Sequence, residues 1–167
     1  FLIQYKGYKD RIFWRDKMKL GIGCDHAALD LKLEMIEYLE SLGHQVVDYG
    51  THTKDSCNYP DYGIAVGKAV VAKEVEAGVL ICGTGVGISI AANKIKGVRA
   101  AVCSDPVTAR LTKEHNNANI IAFGARIVGN ETAKAILDAW LQAEYAGGRH
   151  QNRVEMLDII GTPQDLI

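Results

Sequence analysis

From Met18 onward the chain alternates short apolar runs with longer amphipathic segments, and this alternation restricts the possible folds more than any other feature. Apolar runs of strand length fall at 19–24, 45–49, 78–82, 99–103 and 120–123. Helical patterns fall between them and after the last, at 28–42, 60–75, 87–95, 106–115 and 131–144. Such repeats favour an α/β fold, a parallel sheet of five strands with helices on both faces. Local chemistry sharpens two boundaries. Gly43 can take the left-handed conformation that closes the first helix, and Asp105 before Pro106 offers an N-cap followed by proline at the first helical position. No internal repeat, low-complexity tract or linker interrupts the pattern. Beyond the fifth helix lie GGRHQNR, at 147–153, and a short amphipathic tail through Ile160, suited to packing on the body or on another subunit.

The 167 residues, 48% hydrophobic and 23% charged, suffice for one domain with its own core and no disulfide or metal staple. With 19 basic against 20 acidic side chains, nucleic acid and anionic membranes are not the expected partners. No run approaches the 18 or so apolar residues of a membrane span. Cys24, Cys57, Cys82 and Cys103 are too far apart for a close C-x-x-C pair, which excludes a zinc knuckle or a dithiol redox motif. Cys24, Cys82 and Cys103 each end an apolar run, as buried, reduced thiols of a cytoplasmic protein do. Residues 1–17 lack the apolar core and cleavage pattern of a signal peptide and carry five basic and two acidic side chains. They are expected to be an extension outside the domain, which occupies 18–167.

In a doubly wound sheet, ligands sit beyond the C-terminal strand ends, near the point where the strand order reverses. Two unusual loops fall there: Cys24-Asp25-His26-Ala27-Ala28 after the first strand and Cys82-Gly83-Thr84-Gly85-Val86-Gly87 after the third. A strand order of 2-1-3-4-5 would make those strands neighbours and bring both loops to one crevice. The three alternate glycines let the backbone approach a ligand and converge amides into an anion site at a helix N-terminus. Ile88 excludes a dinucleotide G-x-G-x-x-G, where the third glycine belongs, and also a phosphatase loop, where arginine belongs.

Cys82 is the thiol of most interest, since a helix N-terminus stabilises a thiolate that can act as base or nucleophile. Cys24 and Cys103 read as small buried hydrophobes, and Cys57, in a polar loop, carries no assignment. His44 and His52, in turn or loop segments, are expected at the surface. His26 follows an acid at a strand end, and His115 ends a helix beside Asn116 and Asn117, where its protonated form is favoured and proton donation is its ordinary work. Arg149 and Arg153 lie four apart, so on a helix they share a face suited to phosphate or carboxylate, although a solvated basic face is the commoner role. Arg126 follows the last strand.

GCDHAA at 23–28, YPDY at 59–62, ICGTGVGISIAANK at 81–94, HNNANIIAFGARIVG at 115–129 and GGRHQNRV at 147–154 together resemble the family of type B ribose-5-phosphate and galactose-6-phosphate isomerases. The resemblance covers 19–155. It implies a Rossmann-like three-layer sandwich, a homodimer or dimer of dimers with active sites shared between subunits, a sugar phosphate as substrate, and no metal or organic cofactor. It implies an aldose–ketose isomerisation through an enediolate, with Cys82 as base and Gly83, Thr84, Gly85, Val86 and Gly87 as oxyanion donors. His115 would open the sugar ring, Asp25 and Tyr59 would hold hydroxyls, and Asn116 would lie beside the enediolate. His26, Arg126, Arg149 and Arg153 would hold phosphate, with His115, Asn116 and Arg126 given by the partner subunit. Another branch of the family has a glutamate base at the position of Ile88, where this chain has no proton acceptor.

Three other readings compete with ribose 5-phosphate isomerisation. One is isomerisation of allose or galactose 6-phosphate by the same machinery, and another is a non-catalytic sugar-phosphate sensor. The third is a thiol hydrolase using Cys82 and His115, which would form a covalent intermediate.

Overall fold

Strand β3 (Ala77–Cys82) is six consecutive buried residues, AGVLIC, and such a run is stable only where both sheet faces are covered. The computed structural model describes residues 17–159; the extension through residue 16 and the tail from Ile160 lie outside the described residues. The other elements are β1 (Lys19–Cys24), α1 (Leu29–Ser41), β2 (Gln45–Asp48), α2 (Tyr59–Val71), α3 (Val86–Ala92), β4 (Ala100–Val102), α4 (Pro106–Asn116), β5 (Ile120–Gly124), α5 (Asn130–Gln142) and α6 (Gln151–Ile159). Single 3-10 turns at His26–Ala28 and Gly148–His150 precede α1 and α6.

All strands are parallel, in the order β2-β1-β3-β5-β4. This corrects the expected 2-1-3-4-5: the neighbours β1 and β3 stand as anticipated, but β5 and β4 exchange places. Burial explains the exchange. β5, with IIAFG wholly buried, fits the interior, whereas β4 is three partly exposed residues and fits an edge, where a short strand leaves little unpaired backbone.

The period of two along each strand divides the core. Leu20, Ile22, Val79, Ile81, Ile121 and Phe123 pack with Met35, Leu39, Ile136 and Trp140 under α1 and α5. Leu80, Cys82, Ile120 and Ala122 pack with Val66, Val70, Ile88 and Ala92 under α2 and α3. Burying a side chain such as Phe123 completely contributes about 1.5–3 kcal/mol. The chain is thus an α/β three-layer sandwich of Rossmann-like type.

The helix ends follow from local hydrogen bonding. Gly43, at φ +90°, closes α1: its amide donates to Glu40 O and that of His44 donates to Leu39 O. Asp105 accepts from the Thr108 amide at 2.8 Å, with Pro106 opening α4. The helix expected over 60–75 stops at Val71 because Lys73 turns left-handed at φ +59° and the Glu74 amide returns to Ala69 O. His52 is exposed as expected, but His44 is not. Only 7% of His44 remains accessible, because the α1–β2 turn tucks it beneath the start of β1, where its Nδ1 accepts from the Met18 amide at 3.1 Å. Burial pushes this imidazole below its ordinary pKa.

Candidate active site

At the end of β3 the backbone turns through Gly83, Thr84 and Gly85 into α3. Gly85 lies at φ +80°, and a Cβ there would stand 2.7 Å from the Phe123 carbonyl carbon, so the turn requires glycine on both counts. The turn brings the Gly85 amide to 3.1 Å from Cys82 Sγ, to which it donates. A thiolate accepts such a bond more strongly than a thiol does. Cys82 is 4% exposed, Thr84 is exposed, and Thr84 Oγ1 accepts from the Val86 amide at 3.3 Å.

Tyr59, at the start of α2, packs closely against Gly87, where a Cβ would come within 2.7 Å of its ring. The Arg126 amide donates to Gly83 O at 3.1 Å, and its guanidinium lies over Gly83, where a Cβ would stand in ordinary contact with it at 3.5 Å. Arg126 therefore belongs to the glycine loop of its own chain. This corrects its expected grouping with His115, and the cause is the β3–β5 pairing, Cys82 with Gly124, which sets the two strand ends side by side.

The loop after β1 joins the same crevice. The Asp25 amide donates to Ile81 O at 3.2 Å, one residue before Cys82, and Asp25 Oδ1 accepts from the Ala27 amide at 3.0 Å. His26 Nδ1 accepts from the Cys57 amide at 3.3 Å, so in the neutral ring Nε2 carries the proton. Cys57, unassigned in the sequence, thus orients His26, with its sulfur 3.8 Å from the same nitrogen.

His115, Asn116, Arg149 and Arg153 form a second group elsewhere. The His115 ring stacks on His150, with centroids 4.4 Å apart and planes 11° from parallel. Arg149 Nε lies 3.5 Å from His150 Nε2, and Arg153 follows in α6. Burial, then the charges of His115, Arg149 and Arg153, push the His150 imidazole down from its ordinary value. The Ala146 amide, donating to Glu114 O at 2.9 Å, ties the segment before His150 to α4. Asn116 lines a cavity of about 430 Å³ with Asn93, Arg99 and Leu157.

The two groups occupy opposite ends of the sheet. α4 runs from the C-terminal end of β4 to the N-terminal end of β5, where Ile120 pairs with Gly78 and the Gly78 amide donates to Asn119 O at 2.9 Å. Cys82 is four residues farther along β3, about 13 Å at the usual rise per residue. One copy of the chain therefore brings Cys82, Thr84, Asp25, His26, Tyr59 and Arg126 together, and does not bring His115, Asn116, Arg149 or Arg153 to them.

The profile of the ribose/galactose isomerase family matches residues 20–157, across both groups. The chain belongs to this family. A ribose-5-phosphate isomerase B of Escherichia coli is 53% identical over 85% of this chain and 95% of its own. A galactose-6-phosphate isomerase subunit of Clostridium acetobutylicum is 48% identical over 77% of this chain and 74% of its own. The solved ribose-5-phosphate isomerase B of Clostridium thermocellum superposes with a TM-score of 0.84 at 51% identity, covering 84% of this chain and 95% of that one.

Within this ribose/galactose isomerase frame, His150 is the residue that sequence reasoning missed. It lies inside GGRHQNR, but stacking on His115 is a contact between distant segments that spacing does not reveal. Arg149 and Arg153 stand in successive pieces, the 3-10 turn and α6. Among the described residues, no three His, Cys, Asp or Glu side chains are grouped to hold a metal ion, and no helix is long and apolar enough to cross a membrane.

Proposed function

We propose that the chain interconverts ribose 5-phosphate and ribulose 5-phosphate, as a homodimer or dimer of dimers whose active sites each draw on two copies. The observation that carries the chemistry is Cys82 Sγ held by the Gly85 amide at the turn into α3. In this reading the Cys82 thiolate takes the proton from C2 of the open-chain aldose, leaving an enediolate, and returns it to C1 as the hydroxyl proton passes from O2 to O1, which gives the ketose. Amides of the glycine loop not already engaged, those of Gly83, Thr84 and Gly87, with the Thr84 hydroxyl, stabilise negative charge developing on the substrate oxygen, while the Gly85 and Val86 amides hold Cys82 Sγ and Thr84 Oγ1. Ile88 is fully buried in the core between α2 and α3, so no side chain at that position competes for the proton.

Asp25 and Tyr59 hold sugar hydroxyls, and His26 with Arg126 meets the phosphate from the same chain. His115, for ring opening, with Asn116, Arg149 and Arg153, comes from the second copy. The separation of the two groups along β3 supports this sharing, because a ring-opening proton transfer needs contact at about 3 Å. A two-fold contact would complete two equivalent sites at once. Four free thiols suit a reducing, cytoplasmic setting.

A six-carbon sugar phosphate is the second reading, favoured by the 48% identity to a galactose-6-phosphate isomerase subunit. Purified chain offered ribose 5-phosphate beside allose and galactose 6-phosphates decides the substrate through the relative kcat/KM. Cys82→Ala is expected to abolish turnover while sugar-phosphate binding, followed by calorimetry, persists. Near-normal turnover in that variant removes Cys82 as the base.

A further inference from the structure

Lys32 is a charged side chain with no accessible surface, and the chemistry proposed above makes no use of it. It rises from α1 toward the end of β2 and spends all three ammonium protons there: Nζ lies 2.7 Å from Asp48 Oδ1, Asp48 Oδ2 and Thr51 O. Asp48 keeps a quarter of its side-chain surface, faces the exposed His52 at 3.6 Å, and also accepts from the Gly50 amide at 2.8 Å. A buried ion pair is a poor stabiliser beside apolar residues of the same volume, because desolvation consumes most of the attraction. A lysine in this core therefore calls for another role.

The atoms it holds identify that role. Gly50 O accepts from the Cys24 amide at 2.7 Å, and the Thr51 amide donates to Cys24 O at 2.8 Å. Segment 48–51 thus grips the last residue of β1 from one side, while Ile81 O holds the Asp25 amide from the other. The Tyr62 ring, from α2, closes over Gly50, where a Cβ would come within 2.9 Å of it. Asp25 and His26 begin at the residue this clamp secures.

We propose that Lys32 and Asp48 form a positioning pair, which fixes segment 48–51 against Cys24 and so sets where Asp25 and His26 meet the sugar phosphate. This rests on the substrate-binding roles proposed for Asp25 and His26. Neither Lys32 nor Asp48 touches substrate; the pair acts through the backbone of 50–51. A displacement of about 1 Å in a binding group can cost up to a hundredfold, and residues that act on ground and transition state alike express their loss in KM rather than kcat.

The test uses Lys32→Met/Asp48→Asn, which removes both charges and leaves none stranded, and Asp48→Asn alone, which keeps an acceptor in place and is the milder change. Both are assayed on ribose 5-phosphate beside Asp25→Asn, the paired substitution made on Asp25→Asn, and Leu141→Ala, a core change under α5. The expected result is a KM raised tenfold or more in the paired variant with kcat within threefold. A smaller shift in the same direction is expected for Asp48→Asn. On the Asp25→Asn background the paired substitution is expected to add less than threefold, since the group it positions is already impaired. Leu141→Ala is expected to lower Tm and leave KM unchanged. A folded paired variant with KM within twofold of the parent overturns the proposal, as does full additivity with Asp25→Asn. If the paired variant does not fold, an unchanged KM in Asp48→Asn overturns it. If Asp25→Asn itself leaves KM unchanged, the binding role of Asp25 fails, and the proposal fails with it for that separate reason.

Discussion

Two inactive variants of this chain should restore activity to each other. Cys82→Ala removes the proposed base from the C-terminal end of β3, and His115→Ala removes the proposed acid from the C-terminal end of α4, at the opposite end of the sheet. In the proposed two-fold dimer each composite site would take Cys82 from one copy and His115 from the other. A hybrid of the two variants then contains one site with both defects and one with neither. Random pairing of equal amounts makes half the dimers hybrids, each with one of two sites intact, so the mixture recovers about a quarter of the parent activity per chain. Isolated hybrids recover about half. The assay is co-expression of differently tagged variants, sequential capture of the hybrid, and ribulose 5-phosphate formation at saturating ribose 5-phosphate. The doubly substituted chain mixed with the parent provides a control, because its hybrids hold no intact site. Recovery no greater than the sum of the separate variants would refute the reasoning from opposite sheet ends.

Other consequences are simpler to check. Gly85→Ala combines a φ of +80° with a Cβ 2.7 Å from the Phe123 backbone, so urea unfolding should show a loss exceeding the roughly 1–2 kcal/mol of left-handed strain alone, with activity falling alongside. His44 has its pKa depressed in the folded chain, so the unfolded chain binds more protons below about 6.5. Its contribution is fully present above that pH and lost as pH falls through the folded value; Tm should decline from pH 7 to pH 5, less steeply in His44→Gln. Burial pushes the Cys24 thiol up to about 12 and the Cys103 thiol up to about 11, so iodoacetamide at pH 8 should leave both unmodified in peptide maps of the folded protein.

What could be read in advance was what is local along the chain. The strand runs, the Gly43 closure, the Asp105-Pro106 cap and the glycine turn after Cys82 are each set by a few consecutive residues, and each stands where it was expected. The position of β5 between β3 and β4 was not legible, because pairing is settled by which apolar run gains most from burial on both faces. For the same reason His44 looked exposed: the Met18 amide that it meets lies 26 positions away. His150 and Lys32 escaped notice since their meaning lies in partners from other segments, an imidazole on α4 and a carboxylate on β2. The site motifs were visible one by one, yet only the sheet reveals that they sort to its two ends.

If the two groups serve one reaction, as proposed, that sorting makes turnover depend on encounter between copies. On that reading a newly made chain, however well folded, carries only part of the machinery until it meets a second. On progressive dilution, specific activity should therefore fall once the concentration drops below the dissociation constant of the pair, with a lag on reconcentration set by reassociation. Ribose 5-phosphate bridging the two copies would oppose this loss, so substrate itself should act as an assembly factor at low chain concentration.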